Sequence, residues 1–438
     1  MCDPGRANPK ILMTAYFFPP MGGAGSLRPL KLAKYLPDCG WDPVVLTVKN
    51  PDWYYAKDPD LLKELPADVL VCRTRMIRSA WIYRLLNPSR AQKADKWIRR
   101  FLLHPDEQVG WILSAYAAAL RIVRKRRVKA IYSSSAPMSC HLIAYLIKKK
   151  TGLPWIADFR DEWYENPDFD FPTIFHRRMH FKLEKMIVDS ADQVITAAPG
   201  FCRLLAKHPG CAGKCGTIYM GYDPEDFPSS VRESSPSSGE GKPFTIAFSG
   251  LFYAAFRPAG ILAAVSSLID EGRIPAQNIR LLFVGANSPD ETGFADRHNI
   301  CRFTGFVPHR RAVSHLMASD ALLLLLSRER GDYVVPSKTF EYIASGRPIL
   351  AAVPAGSEVA SIVRKAGTGL VVDFEDADGL RDGILELYDR WLAGTDVPAP
   401  APGCLSFFNQ KEQTRLFAEI LNNITAGRET SRRKGLSS

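Results

Sequence analysis

The chain has 438 residues, 46% of them hydrophobic and 24% charged, with a net charge of +11. That balance excludes a fibrous or wholly disordered chain, and at about 100–200 residues per domain it leaves room for two or three domains. The longest apolar run, Ala321–Leu326, is far short of the ~20 residues a spanning helix needs, so no membrane crossing is expected. Met1–Pro9 lacks an apolar core, so no signal peptide is expected either.

The chain opens with a strand, Lys10–Thr14, then the turn Phe17-Phe-Pro-Pro-Met-Gly-Gly-Ala-Gly25, a helix over Leu27–Leu36 and the apolar run Val44–Val48. Strand, glycine turn, helix, strand is the βαβ pattern. Further strands are expected at Val69–Cys72, Ala130–Ser133, Trp155–Asp158 and Gln193–Thr196, with helices over Ser114–Arg127 and Ser139–Lys150. Ser229–Gly241 is polar and almost free of apolar residues, which marks an interdomain linker. The rhythm then restarts, with strands at Phe244–Phe248, Arg280–Val284, Ala321–Leu326, Pro348–Ala352 and Gly369–Val372. Continuous apolar strands alternating with helices imply parallel sheets covered on both faces. The expected organisation is two Rossmann-like, doubly wound α/β domains, residues 1–228 and 243–405. A linker at 229–242 joins them; a crossover helix at 406–427 and a disordered tail at 428–438 follow.

The nine cysteines are scattered and several sit in apolar runs, which reads as reduced thiols of a cytoplasmic protein. His208, Cys211 and Cys215 match no common zinc spacing, and no metal is expected. Three glycine- or cation-bearing turns carry the functional signal. In Met21–Gly25, Gly22 and Gly23 lack Cβ atoms and precede a helix N-terminus, which suits a phosphate. Ser249-Gly250 ends the second domain's first strand, and Arg257 stands before the next helix, where a guanidinium can pair with a diphosphate. In Asp332–Ala352, a loop with Pro336, Ser337 and Lys338 feeds a short helix holding Glu341 and capped by Gly346. Phosphate fits the helix start and the lysine; ribose hydroxyls fit Glu341 one turn on.

That stretch resembles the donor signature of family-4 glycosyltransferases of the GT-B fold, in the branch with a P-S-K-x-x-E-Y form. Ile11–Leu46 resembles the family opening, Pro154–Trp163 its D-x-R-D-x-W element, Met220–Asp223 its N-G-x-D element, and Phe303–Val307 its F-x-G-x-V turn. Pro354–Glu358 and Gly367–Leu370 resemble loops that close the second domain. The resemblance implies a nucleotide-sugar, with a lean to UDP, held by the second domain, an acceptor held by the first, and transfer in a central cleft, with retention and no metal or other cofactor. It assigns the ribose to Glu341, the diphosphate to Ser337, Lys338 and Arg257, with Pro336 and Gly250 beside it. The base border goes to Gly305 and Val307, and Gly22 and Gly23 approach from the other domain. Two departures stand out. Tyr333 occupies the place of a glutamate eight residues before Glu341, with Asp332 adjacent but out of register. Arg160-Asp161 stands where many relatives place a histidine. Asp161 is the candidate catalytic residue, with Arg160 neutralising charge, or the two form a structural salt bridge.

Residues 1–230 carry 34 Lys and Arg against 23 Asp and Glu, so the whole positive excess lies in the first half. Arg73–Arg100 holds nine basic residues and one acid, Asp95, while Ala94, Trp97, Ile98, Phe101 and Leu102 share one helical face. A basic amphipathic helix with Trp97 and Phe101 beside Arg99 and Arg100 suits an anionic membrane surface; the alternative is a helix whose stripe faces the core. On the membrane reading the acceptor is lipid-linked, a surface-polysaccharide precursor, and the protein is peripheral at the inner face of the plasma membrane. No finger, RNP or helix-turn-helix pattern is present, so nucleic acid is not an expected partner. A GT-B nucleotide-sugar epimerase and a non-catalytic nucleotide-sugar-binding subunit are the rival readings.

Overall fold

The computed structural model describes residues 8–51, 56–77, 88–167, 169–227, 241–252, 258–285, 296–328, 333–395 and 399–436. The linker expected at 229–242 falls almost wholly outside them, as do Arg257 and Asp332. The chain forms two compact units, Met1–Tyr219 with Thr414–Ser438, and Met220–Gln413.

The first unit is built on seven parallel strands: β1 Lys10–Thr14, β2 Asp42–Val48, β3 Leu70–Thr74, β4 Val128–Ser135, β5 Trp155–Phe159, β6 Gln193–Thr196 and β7 Cys215–Thr217. Their order is β3-β2-β1-β4-β5-β6-β7. Both faces are buried, as the continuous apolar runs require. Ile11 and Met13 join a core with Leu30, Val45, Tyr132 and Ile156, while Leu12 joins the opposite core with Leu46, Trp111, Ile143 and Trp155. The C-terminal helix Gln410–Leu436 adds Phe417, Ala418 and Leu421 to the first of these cores, and Trp41 Nε1 donates to Asn422 Oδ1 at 2.9 Å.

The second unit has six parallel strands: β8 Phe244–Ser249, β9 Ile279–Val284, β10 Cys301–Phe303, β11 Ala321–Leu325, β12 Ile349–Ala352 and β13 Gly369–Val372. Their order is β10-β9-β8-β11-β12-β13. Both units are therefore Rossmann-like. In each, the strand order reverses beside the first strand, between β1 and β4 and between β8 and β11. Ligands of such sheets lie outside the carboxyl ends of the strands at that reversal.

The reduced-thiol expectation fails at one pair. Cys202, in the helix Pro199–Leu205, is disulfide-bonded to Cys215 on β7, with Cα atoms 5.9 Å apart. The thirteen-residue separation gave no hint that the helix would fold back beside that strand.

Candidate functional site

In the second unit the carboxyl ends of β8 and β9 meet the start of the helix Lys338–Ser345. Gly250 follows β8 at φ +128°, a conformation that side chains rarely adopt, and its amide donates to Val284 O at 2.8 Å. A Cβ at this position would lie 2.9 Å from Lys338 Nζ. The lysine ammonium thus abuts the open side of the glycine. The same ammonium lies 3.8 Å from the centroid of the Phe248 ring. Burial pushes the Lys338 pKa down to about 7, with the Glu341 carboxylate pulling the other way. Ser337 is the N-cap, with helical backbone angles and no side-chain cap bond; Pro336 O accepts from Thr339 N at 3.0 Å. Glu341 sits one turn in, its Oε1 3.7 Å from His309 Nε2, and the same nitrogen is 3.4 Å from Asp226 Oδ2. His309 starts the helix that follows the Phe303–Val307 turn. In that turn Gly305 has φ +62°, its carbonyl accepts from Gly285 N at 3.1 Å, and Val307 is half-buried. Tyr342 Oη accepts from Ser249 N at 2.8 Å, fastening β8 to the lysine helix.

In the first unit the glycine turn also opens a helix. Gly23 is the N-cap of Ala24–Tyr35 at φ +86°, and Gly22 N donates to Ala56 O at 2.8 Å. Pro29 lies inside this helix and has no N–H for Gly25 O, four residues back. Arg160 supplies the missing donor: Nη1 reaches Gly25 O at 2.9 Å, while Nε and Nη2 reach Ser135 O and Ala136 O at 2.8 and 2.7 Å. The guanidinium is thus committed to three backbone carbonyls. It binds the glycine turn to the ends of β4 and β5. No ion pair joins it to Asp161 among the described residues; Asp161 is exposed at the carboxyl end of β5. Beneath lies a fully buried pair, Arg28 and Asp158, bonded at 2.7 and 2.9 Å, with Tyr132 Oη donating to the same carboxylate. Burial is the largest single influence and opposes the Arg28 charge, but Asp158 and Tyr132 together outweigh it, so the guanidinium pKa is raised. Arg28 Nη1 also reaches Ile218 O at 2.7 Å.

Sequence families match both units. Residues 23–219 match the glycosyl transferase 4-like domain and residues 243–390 match glycosyl transferases group 1. The chain belongs to the GT-B glycosyltransferases. No curated protein matches it by sequence. Solved structures share the fold at low identity. The sucrose-phosphate synthase of Thermosynechococcus elongatus is 16% identical over 98% of this chain and 99% of that one, with a TM-score of 0.59. Anabaena HepE, solved with UDP and glucose, is 14% identical over 95% and 99%, at 0.61. The trehalose 6-phosphate synthase of Burkholderia multivorans is 13% identical over 98% and 99%, at 0.60.

The glycosyltransferase carries its basic helix at Pro88–Phe101. Trp97 is 54% exposed and Leu102 60%, so much of the apolar stripe faces solvent rather than the core. Phe101 is half-buried and its ring packs on Trp97 at 5.5 Å. Ile174 and Phe175, at the start of the helix Ile174–Ser190, are exposed on the far side of His176, whose ring meets both Phe101 and Phe175. Arg99 pairs with Asp95 and Glu107, and Arg100 with Asp170. Part of the basic excess in this segment is therefore neutralised locally. The segment Arg78–Asn87, with Trp81, Tyr83 and Arg84, lies outside the described residues.

Sequence reasoning missed a histidine relay under this helix. Trp163 Nε1 donates to His180 Nδ1 at 2.9 Å. That leaves His180 Nε2–H to donate to His104 Nδ1 at 2.9 Å, and His104 Nε2–H to donate to Arg100 O at 3.0 Å. Each ring is a neutral tautomer set by its neighbour. Burial, then the neighbouring His104 and His176, pushes His180 down to about 4. The three histidines lie 76 residues apart in sequence at the extremes, so no local pattern shows them. His208, considered above with the cysteines, bonds instead to the buried Glu184 at 2.8 Å.

Proposed function

We propose that this glycosyltransferase moves a sugar from a UDP-sugar to a sugar or lipid-linked acceptor, a precursor of a surface polysaccharide, with retention of configuration. The observation that carries the donor half is the convergence of Gly250, Lys338, Glu341 and His309 at the β8–β11 reversal. A diphosphate laid along Gly250 meets the Lys338 ammonium and the first amides of its helix. A ribose one helical turn on meets Glu341. As the bond from the sugar to the diphosphate breaks, negative charge grows on the departing oxygen. A lysine already held there, and protonated once the diphosphate's charge lies beside it, stabilises that charge more than a mobile one would. The reading assigns no metal and no other cofactor. That HepE was solved with UDP and with UDP-glucose supports the choice of nucleotide.

We place the acceptor on the first domain, with Asp161 as the group that contacts it and Arg160 as the brace that holds the glycine turn. The exposed Trp97, with Phe101, Arg99 and Arg100, supports a peripheral position at an anionic cytoplasmic membrane face. The test of the donor site is a thermal-shift screen of nucleotide-sugars against the wild type and Glu341→Ala. A bound ligand raises stability by RT ln(1 + [L]/Kd), so a UDP-sugar should raise the wild-type transition and leave the variant unmoved. An equal shift in the variant refutes the site. A new epimer formed from nucleotide-sugar alone refutes the transfer reading.

A further inference from the structure

Phe248 is fully buried at the end of β8, yet its ring face is turned to a cation. The ring is also the end of a braced aromatic row. Phe248 stacks on Phe252 at 5.2 Å and 18°. Phe252 meets Phe283 edge-on at 5.1 Å, and Phe283 stacks on Phe303 at 5.2 Å and 27°. Phe303 leads directly into the Thr304–Val307 turn. The row therefore runs from the lysine to the turn assigned to the base, and each ring restrains the next. The lysine stem is long and carries several rotatable bonds, so nothing in its own chemistry holds Nζ beside Gly250. The ring contributes to holding it: the ammonium lies over the Phe248 face, 3.8 Å from the centroid, and 2.9 Å from where a Gly250 Cβ would stand, while the Glu341 carboxylate acts on the same charge. A ring face also attracts a cation, which opposes the loss of charge that burial promotes.

We propose that Phe248 is a positioning residue for donor binding, holding the Lys338 ammonium over Gly250 where the diphosphate arrives. The inference rests on the nucleotide-sugar reading of this site. Its test replaces Phe248 with phenylalanines carrying one, two and three ring fluorines, which keep the shape and progressively cancel the negative ring face. Phe248→Met and Lys338→Met are prepared beside them. Calorimetry measures affinity for whichever of UDP, GDP and ADP binds best, and for the matching nucleoside without phosphates. Affinity for the diphosphate should fall stepwise, to about tenfold at three fluorines, while the nucleoside stays constant. Introduced together with Lys338→Met, the fluorines should cost nothing further. Phe248→Met should show the same split between diphosphate and nucleoside.

Equal losses for diphosphate and nucleoside would reduce Phe248 to a packing residue and overturn the proposal. Tighter diphosphate binding with added fluorine would also overturn it, since the ring would then compete with the donor for the ammonium. A wild-type chain that binds none of the three diphosphates would sink the donor reading and this inference together. A wild type that binds one, with a flat fluorine series, sinks the inference alone.

Discussion

Acid should loosen the first unit through one buried imidazole. His180 is fully buried and titrates at about 4 when folded, against 6.5 in an unfolded chain. Between these values the unfolded chain takes up a proton that the folded chain excludes. The stability is therefore complete above pH 6.5 and is lost as pH falls toward 4. One proton of difference is worth about 1.4 kcal/mol per pH unit, so the window holds on the order of 3 kcal/mol. His141, fully buried beside Ser133 and lowered to about 3 by burial and then Arg160, adds a loss of the same sign. The assay is urea unfolding followed by tryptophan emission, since seven of the eight tryptophans belong to the first unit. His180→Gln keeps an acceptor for Trp163 and a donor for His104 but cannot titrate. Between pH 6 and 5 its stability should fall less steeply than the wild type's, by about 1.4 kcal/mol per pH unit. Parallel curves for the two proteins would refute the relay and its neutral tautomers.

Three further outcomes follow from contacts in the structure. Gly250→Ala places a Cβ 2.9 Å from Lys338 Nζ on a backbone at φ +128°. Nucleotide-induced thermal shifts should disappear while the circular dichroism of the free protein is retained; an intact shift would show that the lysine is not needed at the glycine. Asp158→Ala strands the Arg28 guanidinium in the core and should cost about 3–5 kcal/mol in chemical unfolding. A cost below ~1 kcal/mol would mean that the pair is not desolvated. On anionic vesicles the protein should sediment at low salt and be released by high salt or by Arg99→Gln with Arg100→Gln. Sedimentation indifferent to both would remove the membrane surface from the functional reading.

Much of the fold was legible in the order of residues because its signals are local. Short apolar stretches bounded by polar or turn residues mark the parallel strands, and β1, β6 and β13 begin and end at the residues expected from the sequence. The helix Lys338–Ser345 and its cap at Gly346, φ +71°, follow from a turn, a short amphipathic stretch and a glycine. The three-residue strands β7 and β10 are too short to carry a pattern of their own. Within the site, Lys338 and Glu341 are one turn apart and readable together.

What sits opposite them was decided by strand order. Phe248 lies ninety residues before Lys338 and reaches it because β8 ends where the lysine helix begins. His309 comes to Glu341 from the turn after β10, and Asp226 reaches the same imidazole. Arg160 had the sequence position of a charge-bearing site residue, yet three carbonyls take up its guanidinium, one of them left without a helical donor by Pro29. Its neighbour Asp158, which reads simply as the end of a strand, is paired with Arg28 across 130 residues. Periodicity and turn chemistry act over a few residues, so they fix elements and the motifs within them. The partners of a charge depend on which strand ends become neighbours, and only the folded sheets determine that.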